Sequence, residues 1–365
     1  MSPVQRTTTL MKGNEALAEA ALRSDMDAYF GYPITPQSEI LEYLIIHGPK
    51  RGSVVLQAES EVAAINMVYG AAGAGARVMI SSSSPGISLM QEGLSYIASA
   101  QIPCLVVNVQ RGGPGLGTIQ PAQGDYFQAT KGGGHGDYRL IVLAPSSVQE
   151  MADFVPEGFR LAEKYRNPVM ILSDGALGQM MESVQLPEQG SLPKSIPAWA
   201  TRGKPENRER NIITSLFIDP ERMEQVNIEL QKKYAAVQSE ARAELDRTKD
   251  AEIVLVAFGL AARICQKVVD IARERGKSVG LFRPITLYPF PTDILSRTAD
   301  HAEHFLVVEM NAGQMVEDVR LAVNGRRSVD FTGRMGGIIP TPEEILQKIE
   351  SLTVSTTDQA LQGMP

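Results

Sequence analysis

The chain has 365 residues, of which 43% are hydrophobic and 21% are charged, and this length is enough for two domains that each bury a core. Its net charge of −7 argues against a general nucleic-acid binder, which would present a basic face. No apolar run approaches the roughly 18 residues of a membrane helix, and residues 1–9 lack the apolar core of a secretory signal. The cytoplasm is the expected location.

The two cysteines, Cys104 and Cys265, are too few for a disulfide framework or a tetracysteine zinc site. An iron–sulfur cluster usually needs four thiolates. Any such cluster is therefore expected on another polypeptide. His301 and His304 have a metal-like spacing but no third ligand, so we predict no metal site in this chain.

The first 180 residues alternate between strand and helix patterns. Predicted strands cover 27–31, 53–57, 77–81, 103–109, 140–143 and 168–172, and predicted helices cover 13–23, 36–46, 59–73, 85–100 and 146–164. Apolar strands that alternate with helices indicate a parallel sheet covered on both faces. The segment 53–57 reads as a buried strand. We predict a doubly wound α/β domain.

The hydrophobic pattern changes after residue 185. Residues 185–219 have no period and read as a linker, and 220–250 is a charged, helix-forming stretch that is either an arm for a partner or, as we favour, a solvated connecting helix. A second α/β series then gives a smaller domain and a loose tail. Its predicted strands cover 252–258, 278–282, 304–308 and 328–331, and its helices cover 261–275, 314–323 and 341–351.

Three loops of the first domain follow the carboxyl ends of strands, where open parallel sheets bind ligands. In the first, prolines on both sides fix the backbone around Thr35, whose hydroxyl either points at a ligand or caps the helix that Pro36 would open. In the second, Glu61 starts an apolar helix, where it either serves the helix dipole or shares a proton with a ligand nitrogen. In the third, Arg111 either holds a carboxylate or lies exposed in a mobile glycine-rich turn.

Together these loops resemble one family. The motifs Tyr-Pro-Ile-Thr-Pro at 32–36, Ser-Glu-x-Ala-Ala at 60–64 and Arg-Gly-Gly at 111–113 are similar to those of the 2-oxoacid:ferredoxin oxidoreductases, specifically their alpha-type subunit. The likeness covers about residues 10–355 and includes Phe-Arg-Pro-Ile-Thr-Leu-Tyr-Pro-Phe-Pro at 282–291. It implies a pyrimidine-binding domain of a thiamine-diphosphate enzyme at 1–185, a linker with a charged helix at 186–250, a transketolase C-terminal-like domain at 251–353, and a tail at 354–365.

The resemblance also implies roles for individual residues. Glu61, rather than its rival Glu59, matches the glutamate that pairs with the ring nitrogen N1′ of the cofactor's aminopyrimidine. Pro33 and Ile34 belong to the loop that contacts the cofactor. Thr35 matches the threonine that touches the substrate. Arg111 resembles the arginine that meets the substrate carboxylate.

The family's diphosphate signature, Gly-Asp-Gly followed further on by Asn, does not occur in the chain. The resemblance therefore implies a beta-type partner subunit that holds the diphosphate and Mg²⁺, 4Fe-4S clusters on an iron–sulfur subunit or domain, coenzyme A as co-substrate and ferredoxin as electron acceptor. Nucleic acid and membrane are not expected partners.

The segments 125–127 and 131–138 look most like the branched-chain members, which oxidise 3-methyl-2-oxobutanoate. Within the second segment, His135 either lines the site or, as we favour, is a turn residue. The alternatives are a 2-oxoglutarate or pyruvate member of the same family, a split thiamine-diphosphate enzyme that is not redox-active, and a non-catalytic assembly subunit.

Overall fold

The computed structural model describes residues 8–190, 192, 194–204 and 206–362, with side chains as far as Leu352. Residues 1–7 and 363–365, which belong to the predicted first domain and the predicted tail, lie outside the described residues. Within the part of the chain that the structure describes, no helix combines the length and apolar character needed to span a bilayer.

The predicted strands and helices are largely present, together with short elements that the sequence patterns did not predict. The strands are β1 (Thr8–Lys12), β2 (Ala28–Gly31), β3 (Val54–Gln57), β4 (Val78–Ser82), β5 (Cys104–Gln110), β6 (Ile141–Leu143), β7 (Pro168–Asp174), β8 (Met181–Gln185), β9 (Ala243–Asp246), β10 (Ile253–Val256), β11 (Val279–Pro284), β12 (Thr286–Tyr288), β13 (His304–Glu309) and β14 (Ser328–Gly333). The helices are α1 (Gly13–Arg23), α2 (Ser38–His47), α3 (Glu61–Gly73), α4 (Ser84–Leu89), α5 (Gln91–Ser99), α6 (Tyr126–Thr130), α7 (Val148–Tyr165), α8 (Gly175–Gln179), α9 (Pro220–Val237), α10 (Gly259–Glu274), α11 (Thr292–Thr298), α12 (Met315–Val323) and α13 (Pro342–Gln362).

The first sheet has seven strands in the order β12-β6-β7-β5-β4-β2-β3. Its neighbouring strands pair in parallel, except that β12 is antiparallel to β6. Every residue of the central strands β5 and β7 is buried, because helices pack on both faces of the sheet. This confirms the predicted doubly wound domain.

Three local predictions in this domain are wrong. Strand β3 is not buried, because it is the last strand of the sheet and most of its side chains are exposed. The predicted helix 85–100 is two helices, α4 and α5, which meet at Met90. Helix α2 begins at Ser38 and has Gln37 as its N-cap, so Pro36 does not open it.

The second sheet has the order β14-β13-β10-β11-β9 and is parallel except for β9. The predicted charged helix ends at Val237 and not at 250, because residues 243–246 pair with β11 as an edge strand. Strand β12 returns to the first sheet, so the backbone of 286–288 ties the two sheets together. Helix α13 continues to Gln362, past the predicted end at 351.

Helix α9 packs one stripe of side chains against the rest of the chain. Its buried residues are Val226, Leu230, Tyr234 and Val237, which share a face at helical spacing. The charged residues of 220–237 are mostly exposed. The choice between a solvated connecting helix and an arm for a partner stays a prediction.

Candidate active site

The three predicted loops converge at one edge of the first sheet. Strands β3, β2, β4 and β5 are consecutive neighbours in the sheet, and all run in parallel, so their carboxyl ends lie side by side. Thr35 follows β2, Glu61 follows β3 and Arg111 follows β5. The structure therefore brings together the residues that the sequence singled out.

Hydrogen bonds to the backbone hold the loop that carries Thr35. Arg111 Nη1 donates to the Thr35 carbonyl at 3.0 Å, Asn14 Nδ2 donates to the Pro36 carbonyl at 2.8 Å, and Gln37 Nε2 donates to the Tyr32 carbonyl at 3.2 Å. The Thr35 side chain is exposed. Because Gln37 is the N-cap of α2, the capping role considered for Thr35 is wrong, and its exposed hydroxyl is accessible to another partner.

The buried side chain of Gln37 is the anchor of this loop. It is 0% exposed, and its Oε1 accepts a hydrogen bond from Ser81 Oγ at 2.6 Å. Ser81 in turn contacts the hydroxyl of Tyr29 at 2.6 Å. The tip of β2 is therefore tied to β4 by side chains.

Glu61 is 6% exposed, whereas its rival Glu59 is exposed. Glu61 is the first residue of α3, and Ser60 caps this helix by accepting a hydrogen bond from Ala63 N at 3.2 Å. The carboxylate therefore lies at a positive helix end. A Cβ on Gly86 would clash with Glu61 Oε1, so the backbone of α4 approaches the carboxylate as only glycine allows.

Several buried polar atoms near the carboxyl ends of β4 and β5 lack hydrogen-bond partners among the described residues. Ser82 Oγ, Ser83 Oγ and Asn108 Oδ1 are buried and have no hydrogen-bond partner within the described residues. Ser82 and Asn108 are paired in the register of β4 and β5, and Ser82 Oγ is next to the same position of Gly86 as Glu61 Oε1. A buried polar group without a partner costs about 1–3 kcal/mol, so this cluster is suited to a polar ligand.

Arg111 is half-buried and joins two loops. Besides Thr35, its Nη2 donates to the Leu116 carbonyl at 2.8 Å. Its backbone N–H donates to Ser84 Oγ at 3.1 Å. Its Nε is buried without a partner in the described part of the chain. These contacts do not fit the alternative of an exposed arginine in a mobile turn.

A cleft of about 490 Å³ opens between the two sheets beside Arg111. Its walls include Ser84, Arg111 and Asp125 from the first domain and Asn311, Gln314 and Met335 from the second. Burial raises the pKa of Asp125, against the opposing effect of hydrogen bonds from Ser84 and Asn108. The cleft thus presents one cation and one carboxyl group with a raised pKa.

On the second-domain side of the cleft, the buried polar side chains Glu309 and Asn311 are hydrogen-bonded within the protein. Both oxygens of Glu309 accept backbone N–H groups from the start of α12, at 2.8–3.3 Å. Asn311 Nδ2 donates to Glu309 Oε2 at 2.9 Å and to the Gln123 carbonyl at 2.8 Å. Burial raises the pKa of Glu309, and the hydrogen bonds from Met315, Asn311 and their neighbours oppose this.

Sequence reasoning did not assign a site role to Gln37, to Asp125 or to the serines at the end of β4. The run of four serines at 81–84, at the end of an apolar strand and before Pro-Gly, was a usable signal. His135 lines a different cavity, with Tyr96 and Asn227, so it does not line the cleft. His301 contacts the Thr248 carbonyl and His304 contacts Asp330.

Comparison with known proteins decides the family. The model described as "Pyruvate flavodoxin/ferredoxin oxidoreductase, thiamine diP-bdg" matches residues 19–249, and "Pyruvate:ferredoxin oxidoreductase core domain II" matches residues 251–345. The ketoisovalerate oxidoreductase subunit VorB of Methanothermobacter thermautotrophicus is 50% identical, over 96% of this chain and 99% of its own. The chain belongs to the 2-oxoacid:ferredoxin oxidoreductases. It is an alpha-type subunit, as the motifs predicted.

Other members and structures are similar at lower identity. The 2-oxoglutarate synthase subunit KorA of the same organism is 37% identical, over 93% of this chain and 97% of its own. The 2-oxoglutarate:ferredoxin oxidoreductase from Magnetococcus marinus, with 2-oxoglutarate, coenzyme A and succinyl-CoA bound, matches with a TM-score of 0.84 at 27% identity. That match covers 95% of this chain, which spans 65% of the length of that one. A split gene transketolase matches with a TM-score of 0.60 at 12% identity, which shows the fold alone.

Proposed function

We propose that this chain is the pyrimidine-binding subunit of an enzyme that oxidises a branched-chain 2-oxoacid, 3-methyl-2-oxobutanoate, with coenzyme A. The bond between the ketone carbon and the carboxylate breaks and CO2 leaves. The acyl carbon forms a thioester with coenzyme A, two electrons pass to two oxidised ferredoxins, and one proton is released. The observation that carries this proposal is the buried Glu61 beside unpaired polar atoms at the carboxyl edge of the first sheet.

The residues at this edge fit an aminopyrimidine. Glu61 would hold a proton shared with the ring nitrogen, and the unpaired oxygens of Ser82 and Asn108 would accept hydrogen bonds from its amino group. Pro33, which is exposed, and Ile34, which is half-buried, would contact the ring. When bound, thiamine diphosphate supplies the carbon nucleophile and the electron sink that decarboxylation of a 2-oxoacid needs.

Thr35 and Arg111 would act on the substrate. Arg111 keeps a guanidinium in the cleft wall, and its Nε has no protein partner in the described residues. A carboxylate would complete this donor. Thr35 presents an exposed hydroxyl on a loop fixed by three hydrogen bonds, so it can orient the 2-oxo group.

A beta-type partner subunit would complete the site by holding the diphosphate and Mg²⁺. Large apolar side chains are exposed around the three loops, among them Tyr32, Leu56, Val62, Leu89 and Leu116. Such exposed apolar groups are typical of a surface that another chain covers. Both cysteines are buried with free thiols, which supports 4Fe-4S clusters on partner chains and a reducing cytoplasmic location. The isolated chain should therefore bind thiamine diphosphate weakly, and tight stoichiometric binding would contradict the shared site.

The branched-chain substrate has two supports. The relative at 50% identity is named for ketoisovalerate, whereas those named for 2-oxoglutarate are at 37% or less. In addition, Arg111 and Asp125 are the charged residues in the described lining of the cleft. One cation matches one carboxylate, and the described lining of the cleft offers no second cation for the second carboxylate of 2-oxoglutarate.

The test is a substrate comparison on the native complex, purified without oxygen. Reduction of a viologen dye is measured with coenzyme A and each of 3-methyl-2-oxobutanoate, pyruvate and 2-oxoglutarate. We expect the highest kcat/KM for 3-methyl-2-oxobutanoate. A preference for 2-oxoglutarate would overturn the substrate assignment, and no dye reduction with any 2-oxoacid would overturn the redox function.

A further inference from the structure

A second cavity, of about 390 Å³, lies at the opposite edge of the first sheet. Its wall includes Gln101 and Arg166, which come shortly before the first residues of β5 and β7. We refer to it as the amino-edge cavity. Arg111 of the catalytic cleft follows the other end of β5, and a strand of this length spans roughly 20 Å. A ligand in the amino-edge cavity therefore cannot reach the reacting atoms.

Two arginine side chains line the amino-edge cavity, and a lysine lies beside it. The arginines are Arg166 and Arg222, and the lysine is Lys233, with Nζ donating to the Arg166 carbonyl at 3.1 Å. No ion pair joins any of the three to an acidic residue among the described residues, although Glu229 is in the cavity wall. Burial, and then the charge of Arg166, lowers the pKa of Lys233 to about 7. This electrostatic environment favours an anion.

The rest of the wall is mixed, with aromatic and apolar side chains beside the polar side chains of Ser99, Gln101, Asn211, Thr214 and Glu229. The Arg166 guanidinium lies 4.7 Å from the centre of the Trp199 ring, and that of Arg222 lies 5.9 Å from the centre of the Phe217 ring. Ile212 is 70% exposed and lines the same cavity. Ser99 Oγ, from another wall residue, is buried and has no partner in the described part of the chain.

We propose that the amino-edge cavity binds a nucleoside phosphate, with its phosphates on Arg166 and Arg222 and its base against Trp199 and Ile212. Planar guanidinium groups hold phosphate oxygens with paired hydrogen bonds. Inorganic phosphate would contact the two arginines but not the apolar side chains. An apolar molecule would contact the apolar side chains but not the arginines. The volume lies in the range of small-ligand sites.

The first test is calorimetric titration of ADP into the assembled complex, beside adenosine and inorganic phosphate. We expect saturable ADP binding at least about tenfold tighter than that of either fragment. Arg222→Gln, which changes an exposed side chain, should weaken ADP binding by about tenfold or more. Lys232→Gln, an exposed neighbour on α9, should leave it unchanged. Absence of saturable ADP binding, or equal affinity in Arg222→Gln and wild type, would overturn the proposal.

A second test uses Trp199, the one tryptophan of the chain. ADP should change the fluorescence of the wild-type complex, and the change should be lost in Trp199→Phe. If the signal persists in Trp199→Phe, ADP binds elsewhere and the proposal is wrong. Arg166→Gln should also weaken binding, but Arg166 has a positive φ of 46° and its Nε donates to the Gln101 carbonyl. If this variant does not fold, Arg222→Gln decides.

Discussion

The two sides of the candidate active site differ in how their buried polar atoms are paired. On the first-domain side, Ser82 Oγ, Asn108 Oδ1 and Arg111 Nε are buried without partners among the described residues. On the second-domain side, Glu309 accepts hydrogen bonds from three backbone N–H groups at the start of α12 and from the side chain of Asn311. Because an unpaired buried group is costly, a ligand that pairs with these atoms would be stabilised there. We propose that the first-domain side binds the ligand and that the second-domain side is a rigid support.

The largest expected effect comes from Glu61, with Glu59 as the matched control. Glu61→Gln keeps the size of the side chain but removes the carboxylate that shares a proton with the ring nitrogen. We expect the turnover number of the complex to fall by about 10²–10⁴, the range of acid–base contributions. Glu59→Gln changes an exposed carboxylate two residues away and should retain wild-type turnover. Equal rates in both variants would remove the role of Glu61.

Substitutions of Arg111 and Thr35 should separate an effect on substrate binding from an effect on turnover. Arg111→Ala removes the guanidinium and should raise KM for the 2-oxoacid by roughly 10- to 100-fold, since hydrogen bonds to charged groups contribute about 1.5–3 kcal/mol. Thr35→Ala keeps the carbonyl that Arg111 contacts and should mainly lower kcat. Steady-state kinetics with 3-methyl-2-oxobutanoate measures both. Wild-type constants in both purified variants would rule out these assignments.

A substitution on the second-domain side should lower the stability of the protein without changing kcat. In Glu309→Gln an amide NH2 replaces one of the two oxygens that face the N–H groups of α12. We expect the free energy of unfolding to fall by about 1–3 kcal/mol, with kcat of the folded complex near wild type. Thermal unfolding and dye reduction on the same preparation measure the two quantities. A large loss of kcat without a loss of stability would show that this side takes part in the chemistry.

The smallest effect is a pH dependence from Asp174, which belongs to neither side. It caps α8 through Ala176 N and Leu177 N, and burial raises its pKa from 3.8 to about 6, against hydrogen bonds from Leu177, Ala176 and Leu260. The folded state then binds more protons than the unfolded state between these values, so stability falls as pH rises through this window.

Asp174→Asn retains a capping side chain and should flatten this fall. Chemical unfolding measured at about pH 4 and about pH 6 checks it. The same slope in wild type and variant would exclude Asp174 as its source.

The sequence patterns predicted six of the seven strands of the first sheet and placed Thr35, Glu61 and Arg111 at one of its edges. Continuous apolar runs mark β5 and β7 as central strands, and loops after parallel strands must share an edge. An apolar run does not show whether a strand has one neighbour or two, so exposed β3 was misread. The return of β12 to the first sheet depends on contacts between distant residues, which no local pattern encodes. The unpaired atoms of Ser82 and Asn108 become visible only when packing is known.

The role of Glu61 is tested by exchange of the cofactor's thiazolium C2 proton with deuterium in the assembled complex, followed by NMR after acid quench. If Glu61 activates the aminopyrimidine, exchange should be about 10² or more slower in Glu61→Gln than in wild type, while Glu59→Gln should exchange as wild type does. Wild-type exchange in Glu61→Gln, with the cofactor fully bound, would contradict the account.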